Sequence, residues 1–479
     1  MQITLINKQK IKIMKKVFLT CLTIMAVITG HAQNGSITSE MLGQIKKSYS
    51  ATTTDKALIN AISNTDIRTL AVNRDTQGEL DTYFSNRVPT VGITNQKSSG
   101  RCWLFTGLNV LRSRLIASKK LDGFEFSQSY CFFWDQLEKS NLFLQSVIDN
   151  SKKSMDDKTV EWLFKNPIGD GGTYTGVADL VAKYGLVPKS IMPESFNSDN
   201  TSHYADLMSL KLREFGLELR DMSSKGKSAK DMEIRKTAML GTVYRMLVLF
   251  FGEPVNEFQY AFRDKTGKPV TELKKYTPKS FYEEEVKSGI DLNNDFVMLM
   301  NDPSRPYWQV YDIDLDRHLY EGHNWLYVNL PIEEIKSMAI QSIKNNEVMY
   351  FSCDVGKFQD KERGLLDVNY YDYEDLLGTK FSMDKKQRIQ TFSSGSSHAM
   401  TLTGVDLDSN GVSKKWLVEN SWGKNKGYDG FLIMTDKWFD EYMFRLVVNK
   451  KYISTKVLDV LKKKPVKLPV WDPMFSEED

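Results

Sequence analysis

The chain has 479 residues, 41% of them apolar and 26% charged. That make-up is ordinary for a soluble globular protein and allows two or three structural units. Its formal charge of +3 rests on Lys8, Lys10, Lys12, Lys15 and Lys16. Without those five the remainder is at −2, so no net basicity draws the chain to nucleic acid. Four cysteines, one of them in the leader, argue against a disulfide scaffold, and the lack of a Cys-x-x-Cys pair argues against a structural zinc site.

Residues 1–33 read as a secretory signal. The five lysines precede an apolar run over residues 17–30, and Gly30-His31-Ala32-Gln33 supplies small residues for cleavage. The run falls short of the ~20 residues that cross a bilayer. The expected location is exported, periplasmic or secreted, with a cytoplasmic enzyme as the alternative if the leader is unused. No membrane attachment is expected after cleavage. Residues 34–90 are polar, with helical stretches near 41–49 and 56–62, and read as a wrapping arm.

The next region, 91–196, reads as helical. Ser98, Ser99 and Gly100 make a turn. Leu104, Leu108, Leu111 and Leu115 then lie on one face of a helix ringed by further apolar residues, which predicts burial. Cys102 stands where the turn becomes the helix. There the positive end of the helix dipole favours thiolate over thiol. Gln96, six residues earlier, can aim an amide at the same place, and a nucleophile beside an amide donor is half of an acyl-transfer site. Ser127 offers a cap for a second amphipathic helix through Tyr130, Phe133, Trp134 and Leu137. Cys131 within it reads as a small buried hydrophobe. Asp170-Gly171-Gly172-Thr173 is a tight loop that lets backbone approach a ligand, although a plain turn explains it equally well when taken alone.

Residues 197–344 read as a mainly helical insertion, with a stripe at Met239, Val243, Met246, Leu247 and Phe250. From 345 to 464 the period becomes two. Strands are expected over 348–353, 399–406, 415–420, 430–435 and 444–452, with Asn410-Gly411 as a tight hairpin. The fold class is therefore α+β, with a helical N-terminal half and an antiparallel C-terminal half. Pro465, Pro469 and Pro473 make the final arm, 465–479, extended and unable to join a central strand.

A cysteine nucleophile needs a base, usually His. His31 lies in the leader, and His203 sits in a polar stretch. His318 and His323 flank Glu321 at a spacing that fits no zinc motif, so a solvent-facing or structural role is expected for them. His398 opens a strand, and Asn420 follows 22 residues later in Glu-Asn-Ser-Trp-Gly. Asn420 is placed to orient the imidazole, and Trp422 to shield that bond from water. Each residue alone has a duller explanation. The order Gln96, Cys102, His398, Asn420, each in a distinctive local string, reverses the balance.

That order resembles the papain-like cysteine proteases, and the wording around it resembles their bleomycin hydrolase / aminopeptidase C branch. The carrying strings are Asn-Gln-Lys-Ser-Ser-Gly-Arg-Cys-Trp at 95–103, Phe-Glu-Phe-Ser-Gln-Ser-Tyr at 124–130 and Asp-Gly-Gly at 170–172. Later come Cys-Asp-Val-Gly-Lys at 353–357, Ser-His-Ala-Met at 397–400 and Glu-Asn-Ser-Trp-Gly at 419–423. The resemblance implies a papain-like fold and no cofactor or metal. It implies an oxyanion hole from Gln96 and the Cys102 amide, a Cys102–His398 pair, and Asn420 as orienter. Gly171 and Gly172 resemble the loop that pairs with substrate backbone. The resemblance also implies peptide substrates with free N-termini, a C-terminal arm in the cleft whose last carboxylate holds the substrate ammonium, a homohexamer, and no obligate nucleic acid. Here the last residue is Asp479, in an acidic ending where the family tends to end in small apolar residues. Alternatives are a cysteine endopeptidase if the arm leaves the cleft open, an acyltransferase, or a non-catalytic binding protein that keeps the fold.

Overall fold

A computed structural model describes residues 35–474. The expected signal sequence and Asp479 lie outside the described residues. The chain divides into two units, Met1–Ala71 and Val72–Asp479. In the first, helices span Ser39–Lys47, Thr53–Asn64 and Ile67–Leu70. Polar caps start them. The Thr38 hydroxyl accepts from the Met41 amide, while Thr52 and Asp55 cap each other's backbone reciprocally.

The second unit holds the site. Its principal helices are α1 (Cys102–Lys119), α2 (Gln128–Asp149), α3 (Lys158–Lys165), α4 (Tyr174–Tyr184), α5 (Ser202–Ser224), α6 (Ala229–Phe251) and α7 (Ile332–Lys344). Every residue of α1 from Cys102 to Arg112 is buried, so the helix runs through the core. Gly107 lets α4 touch it, since a Cβ there would lie 2.7 Å from the Val177 side chain. The Ser127 hydroxyl caps α2 at Tyr130, as its sequence predicts, and Gly185 ends α4. On α6 the buried stripe is Met239, Val243, Leu247 and Phe251, with Met246 and Phe250 half-buried beside it. This stripe packs on α2, where the Phe132 and Phe251 rings lie 5.4 Å apart.

The principal strands are β1 (Phe296–Met300), β2 (Gln309–Ile313), β3 (Leu326–Asn329), β4 (Met349–Cys353), β5 (His398–Leu407), β6 (Ser413–Glu419), β7 (Phe431–Thr435), β8 (Met443–Asn449) and β9 (Val466–Leu468). Among the described residues they form one sheet in the order β9-β2-β3-β1-β8-β4-β5-β6-β7, continued by the short strands Leu365–Leu366 and Gln359–Asp360. The centre, β1-β8-β4-β5-β6-β7, is antiparallel. The β9–β2, β3–β1 and β7–Leu365 pairings are parallel, so the sheet is mixed and not purely antiparallel. Helices α1 and α7 both pack against β5, which is buried over all but its last residue.

Two expectations are corrected here. The region 197–344 is helical as far as Phe251, in the short helical segments Pro278–Phe281 and Tyr282–Val286, and again in α7. Between Phe251 and α7 also lie a two-stranded ribbon, Phe258–Tyr260 with Lys274–Tyr276, and the strands β1–β3, which extend the main sheet. The Asn410-Gly411 turn is the tip of a wider loop, closed by the Asp408 amide donating to the Val412 carbonyl.

Candidate active site

Backbone pairing brings the distant pieces of the site together. Asn86–Arg87 pairs with β5 at Val405 and Gly404. The chain then runs alongside the end of β6. The Gln96 amide donates to the Ser421 carbonyl (2.8 Å), the Gly423 amide to the Thr94 carbonyl (3.0 Å), and Asn95 bridges Trp422. Gln96 and Asn420 are thus neighbours before any side chain is considered. The turn at 98–100 delivers the chain into α1 with Cys102 as its first residue.

Arg101 holds that turn from below. It is fully buried, with Nε donating to the Ser99 hydroxyl (3.0 Å) and Nη1 to Glu194 (2.8 Å). The Gln96 amide is fixed in both halves. The Ser421 hydroxyl donates to its Oε1 (2.6 Å), and its Nε2 donates to the Ser99 carbonyl (2.6 Å). With Oε1 accepting from Ser421 and Nε2 donating to Ser99, the flip of the amide is set.

Cys102 lies at the start of β5, against the residue that follows His398. The Ala399 amide donates to Cys102 Sγ at 3.3 Å. His398 Nε2 bonds Asn420 Oδ1 at 2.8 Å, and Asn420 Oδ1 also accepts the Ser421 amide (2.8 Å). Since that oxygen only accepts, Nε2 carries the proton and Nδ1 is the basic atom. The Trp422 ring lies 4.9 Å from the imidazole, tilted by 33°, and covers the bond. His398 and Asn420 are each 2% exposed, so the contact is strong by exclusion of water. The adjacent Glu419 is buried, which pushes its carboxyl up, while Arg112 opposes the shift and bonds it at 2.5 Å.

Gly171 and Gly172 lie in a loop stapled to both sides of Cys102. The Gly100 amide donates to the Asp170 carboxylate (2.7 Å), and Trp103 Nε1 donates to the Asp170 carbonyl (2.9 Å). A Cβ on Gly172 would fall 2.3 Å from His318 and 2.6 Å from Trp103, so only glycine fits there.

The arm is held firmly as far as it is described. Strand β9 pairs in parallel with β2 at the sheet edge. Arg305 Nη2 donates to both carboxylate oxygens of Asp472 (2.7 and 2.8 Å), and its Nε donates to Asp302 (2.8 Å). Arg445 Nη2 donates to the carbonyl of fully buried Met474 (2.7 Å). Arg445 pairs in register with Ser352, and Ser352 with Ala399. The backbone of Arg445 is thus two strands, or ~10 Å, from the residue after His398.

Three groups that sequence reasoning passed over belong to the neighbourhood. Ser421 had a signal, the string around Asn420. Asp170 had one too, in Asp-Gly-Gly. His318, expected as structural or solvent-facing, is buried against Asp135, whereas His323 is largely exposed and bonds Asp179. Cys131 and Cys353 are buried, and burial pushes the Cys131 thiol far up. Among the described residues no group of three His, Cys, Asp or Glu side chains is arranged to hold a metal.

The chain is similar to known proteins over most of its length. A model of the Peptidase C1-like family matches residues 36–475. Human bleomycin hydrolase is 38% identical over 419 residues, covering 85% of this chain and 91% of its own. Aminopeptidase C of Lactobacillus delbrueckii subsp. lactis is 37% identical over 420 residues, covering 87% of this chain and 92% of its own. The crystal structure of pepw from Lactobacillus rhamnosis superposes with a TM-score of 0.88 at 37% identity, over 93% of this chain and 100% of that one.

Proposed function

The chain belongs to the peptidase C1-like family of cysteine peptidases, and from that premise we propose that it is an aminopeptidase, releasing N-terminal residues from peptides through Cys102. The observation that carries the proposal is the contact at the head of β5. The Ala399 amide reaches Cys102 Sγ while His398 is locked by Asn420 with its basic Nδ1 free of that bond.

The chemistry follows from these positions. Nδ1 takes the thiol proton, and the thiolate attacks the scissile carbonyl carbon. The charge that develops on oxygen is met by the Cys102 backbone amide at the head of α1 and by Gln96 Nε2. The C–N bond then breaks, and the imidazolium returns its proton to the leaving amine. Water, deprotonated by the same Nδ1, hydrolyses the thioester and frees Cys102. Asn420 keeps the ring in one tautomer through both halves.

Selection for free N-termini is assigned to the arm. Arg305 and Arg445 fix its described part through Asp472 and Met474, and Arg445 stands two strands from the one that His398 opens. The names of the relatives support the same activity. The reading includes export through the leader and assembly of several copies. N-terminal sequencing of the mature protein and its mass in solution test those two points.

The test of the activity compares aminoacyl fluorogenic amides with their Nα-acetylated forms, with and without a thiol alkylator. Hydrolysis of the unblocked amides alone, abolished by alkylation, is expected. Equal cleavage of the acetylated forms would convert the proposal into an endopeptidase, and hydrolysis that survives alkylation would remove Cys102 from it.

A further inference from the structure

Behind the glycine loop lies a cluster of charges that the reaction itself does not use. We infer that Asp135, Lys139 and His318 are positioning residues that set the 169–173 loop, and through it the wall of the cleft beside Cys102. This inference rests on the aminopeptidase reading for its kinetic consequence, but not for its structural one.

The cluster grips the loop from one side. Lys139 Nζ donates to the Gly169 carbonyl (3.2 Å) and also to the Gly171 carbonyl. Gln136 Nε2, on the same helix α2, donates to Gly169 as well (2.9 Å). The Thr173 amide donates to His318 Nε2 (3.2 Å), so Nε2 is the accepting nitrogen and Nδ1–H bonds Asp135. Asp135 in turn lies 3.6 Å from Lys139. Burial alone would raise the Asp135 carboxyl, but Lys139 and His318 overcome it and hold it below the usual carboxylate range. With Trp103 bonded to the Asp170 carbonyl, the carbonyls of 169, 170 and 171 are all bound from the protein side.

Two ring contacts carry this arrangement to the nucleophile. Trp103, the residue after Cys102, meets the His318 ring edge-on at 4.7 Å, and Lys139 lies 5.6 Å over the Trp103 ring. The missing Cβ of Gly172 leaves the space that the His318 ring fills. The Lys139 amine and the His318 ring therefore fix both ends of the loop, while Asp135 ties the two together. Loosening the cluster should move the loop and leave the sulfur, His398 and Asn420 where they are.

The experiment uses the full chain and the variants Lys139→Met and Lys139→Arg. Because Lys139→Met leaves Asp135 buried, Asp135→Asn/Lys139→Met, which removes both charges, is made alongside and read in its place if the single variant does not fold. KM and kcat are measured on an unblocked aminoacyl fluorogenic amide, along with the rate of Cys102 alkylation by iodoacetamide. Hydrogen exchange is followed in the peptide covering 166–175. The expected result is KM raised about tenfold, equivalent to ~1.4 kcal/mol, with kcat and the alkylation rate changed less than about twofold. Exchange across 166–175 should rise while that of α1 does not, and Lys139→Arg should restore most of the loss. Unchanged KM and exchange would overturn the inference. So would a parallel fall of kcat, alkylation rate and melting temperature, which is what a merely structural lysine would give. A wild-type chain that ignores the amide would refute the aminopeptidase reading, and hydrogen exchange would still decide on the cluster.

Discussion

The oxyanion side of the site makes a demanding prediction, because one hydroxyl holds half of it. Gln96 Nε2 can serve a developing oxyanion only while its amide keeps one orientation; the Ser421 hydroxyl holds Oε1 at 2.6 Å and the Ser99 carbonyl holds Nε2. Gln96→Ala removes a donor aimed at transition-state charge and should lower kcat by about 100- to 1,000-fold, or ~2.7–4 kcal/mol. Ser421→Ala removes one buried neutral hydrogen bond, worth ~0.5–1.5 kcal/mol, and should cost about three- to tenfold. The two losses must not add. Once Gln96 is alanine there is no amide to orient, so Ser421→Ala should cost nothing further, and the coupling should equal the whole single-variant effect of Ser421, ~1 kcal/mol. The assay is kcat/KM on an aminoacyl fluorogenic amide for the four proteins of the cycle, with the reactive thiol titrated in each. Additive losses would mean that Ser421 acts elsewhere, for instance through Asn420, and that the assignment of Gln96 is wrong.

Asn420→Ala deletes the buried 2.8 Å contact to His398 and should lower kcat/KM by about 10- to 100-fold, ~1.4–2.8 kcal/mol, while melting temperature changes little. Arg305→Ala breaks both bonds to Asp472, and the ratio of hydrolysis of Nα-acetylated to unblocked amides should rise about tenfold; an unchanged ratio would place selection elsewhere. Lys385 gives a pH prediction. Burial pushes its amine down to about 7, although the Asn301 side chain and the Asp440 and Met443 carbonyls all accept from it. A depressed amine means that the unfolded chain binds more protons, so stability is highest above the ordinary lysine value and falls as pH drops towards about 7. Lys385→Met should flatten the melting temperature across pH 7–10, and an unchanged slope would contradict the assignment.

The part of the site visible in the sequence was the part with local grammar. Cys102 follows a Ser-Ser-Gly turn and opens a helix with Leu104, Leu108, Leu111 and Leu115 on one face. His398 is the one histidine that begins a strand after a serine-rich loop, and Asn420 sits in a string with Trp422. Those cues survive because backbone and side chain ask for the same thing over a few residues. His318 had no such cue. Its partner Asp135 is 183 positions away on α2, and the Asp135–Lys139 spacing looks like any solvated helical pair. Arg445 is hidden in the same way. It interrupts the strand Met-Phe-Arg-Leu-Val-Val-Asn, where its buried guanidinium meets the arriving carbonyl of Met474 and lies 4.8 Å over the Trp325 ring. The strands β1–β3 are not legible as strands because runs such as Phe-Val-Met-Leu-Met have no polar alternation, and without it the period does not separate strand from helix. The parallel pairings at the sheet's edges follow from where those runs land, which no short window of sequence contains.

All of the chemistry proposed here passes through one covalent intermediate on one sulfur. Rapid quenching of the full chain with an unblocked aminoacyl ester, followed by intact-mass and peptide analysis, tests it. The account predicts a single acyl adduct on the peptide containing Cys102, absent from Cys102→Ala and formed far more slowly in His398→Ala. An adduct on Cys131 or Cys353, or rapid turnover with no adduct at all, would contradict it.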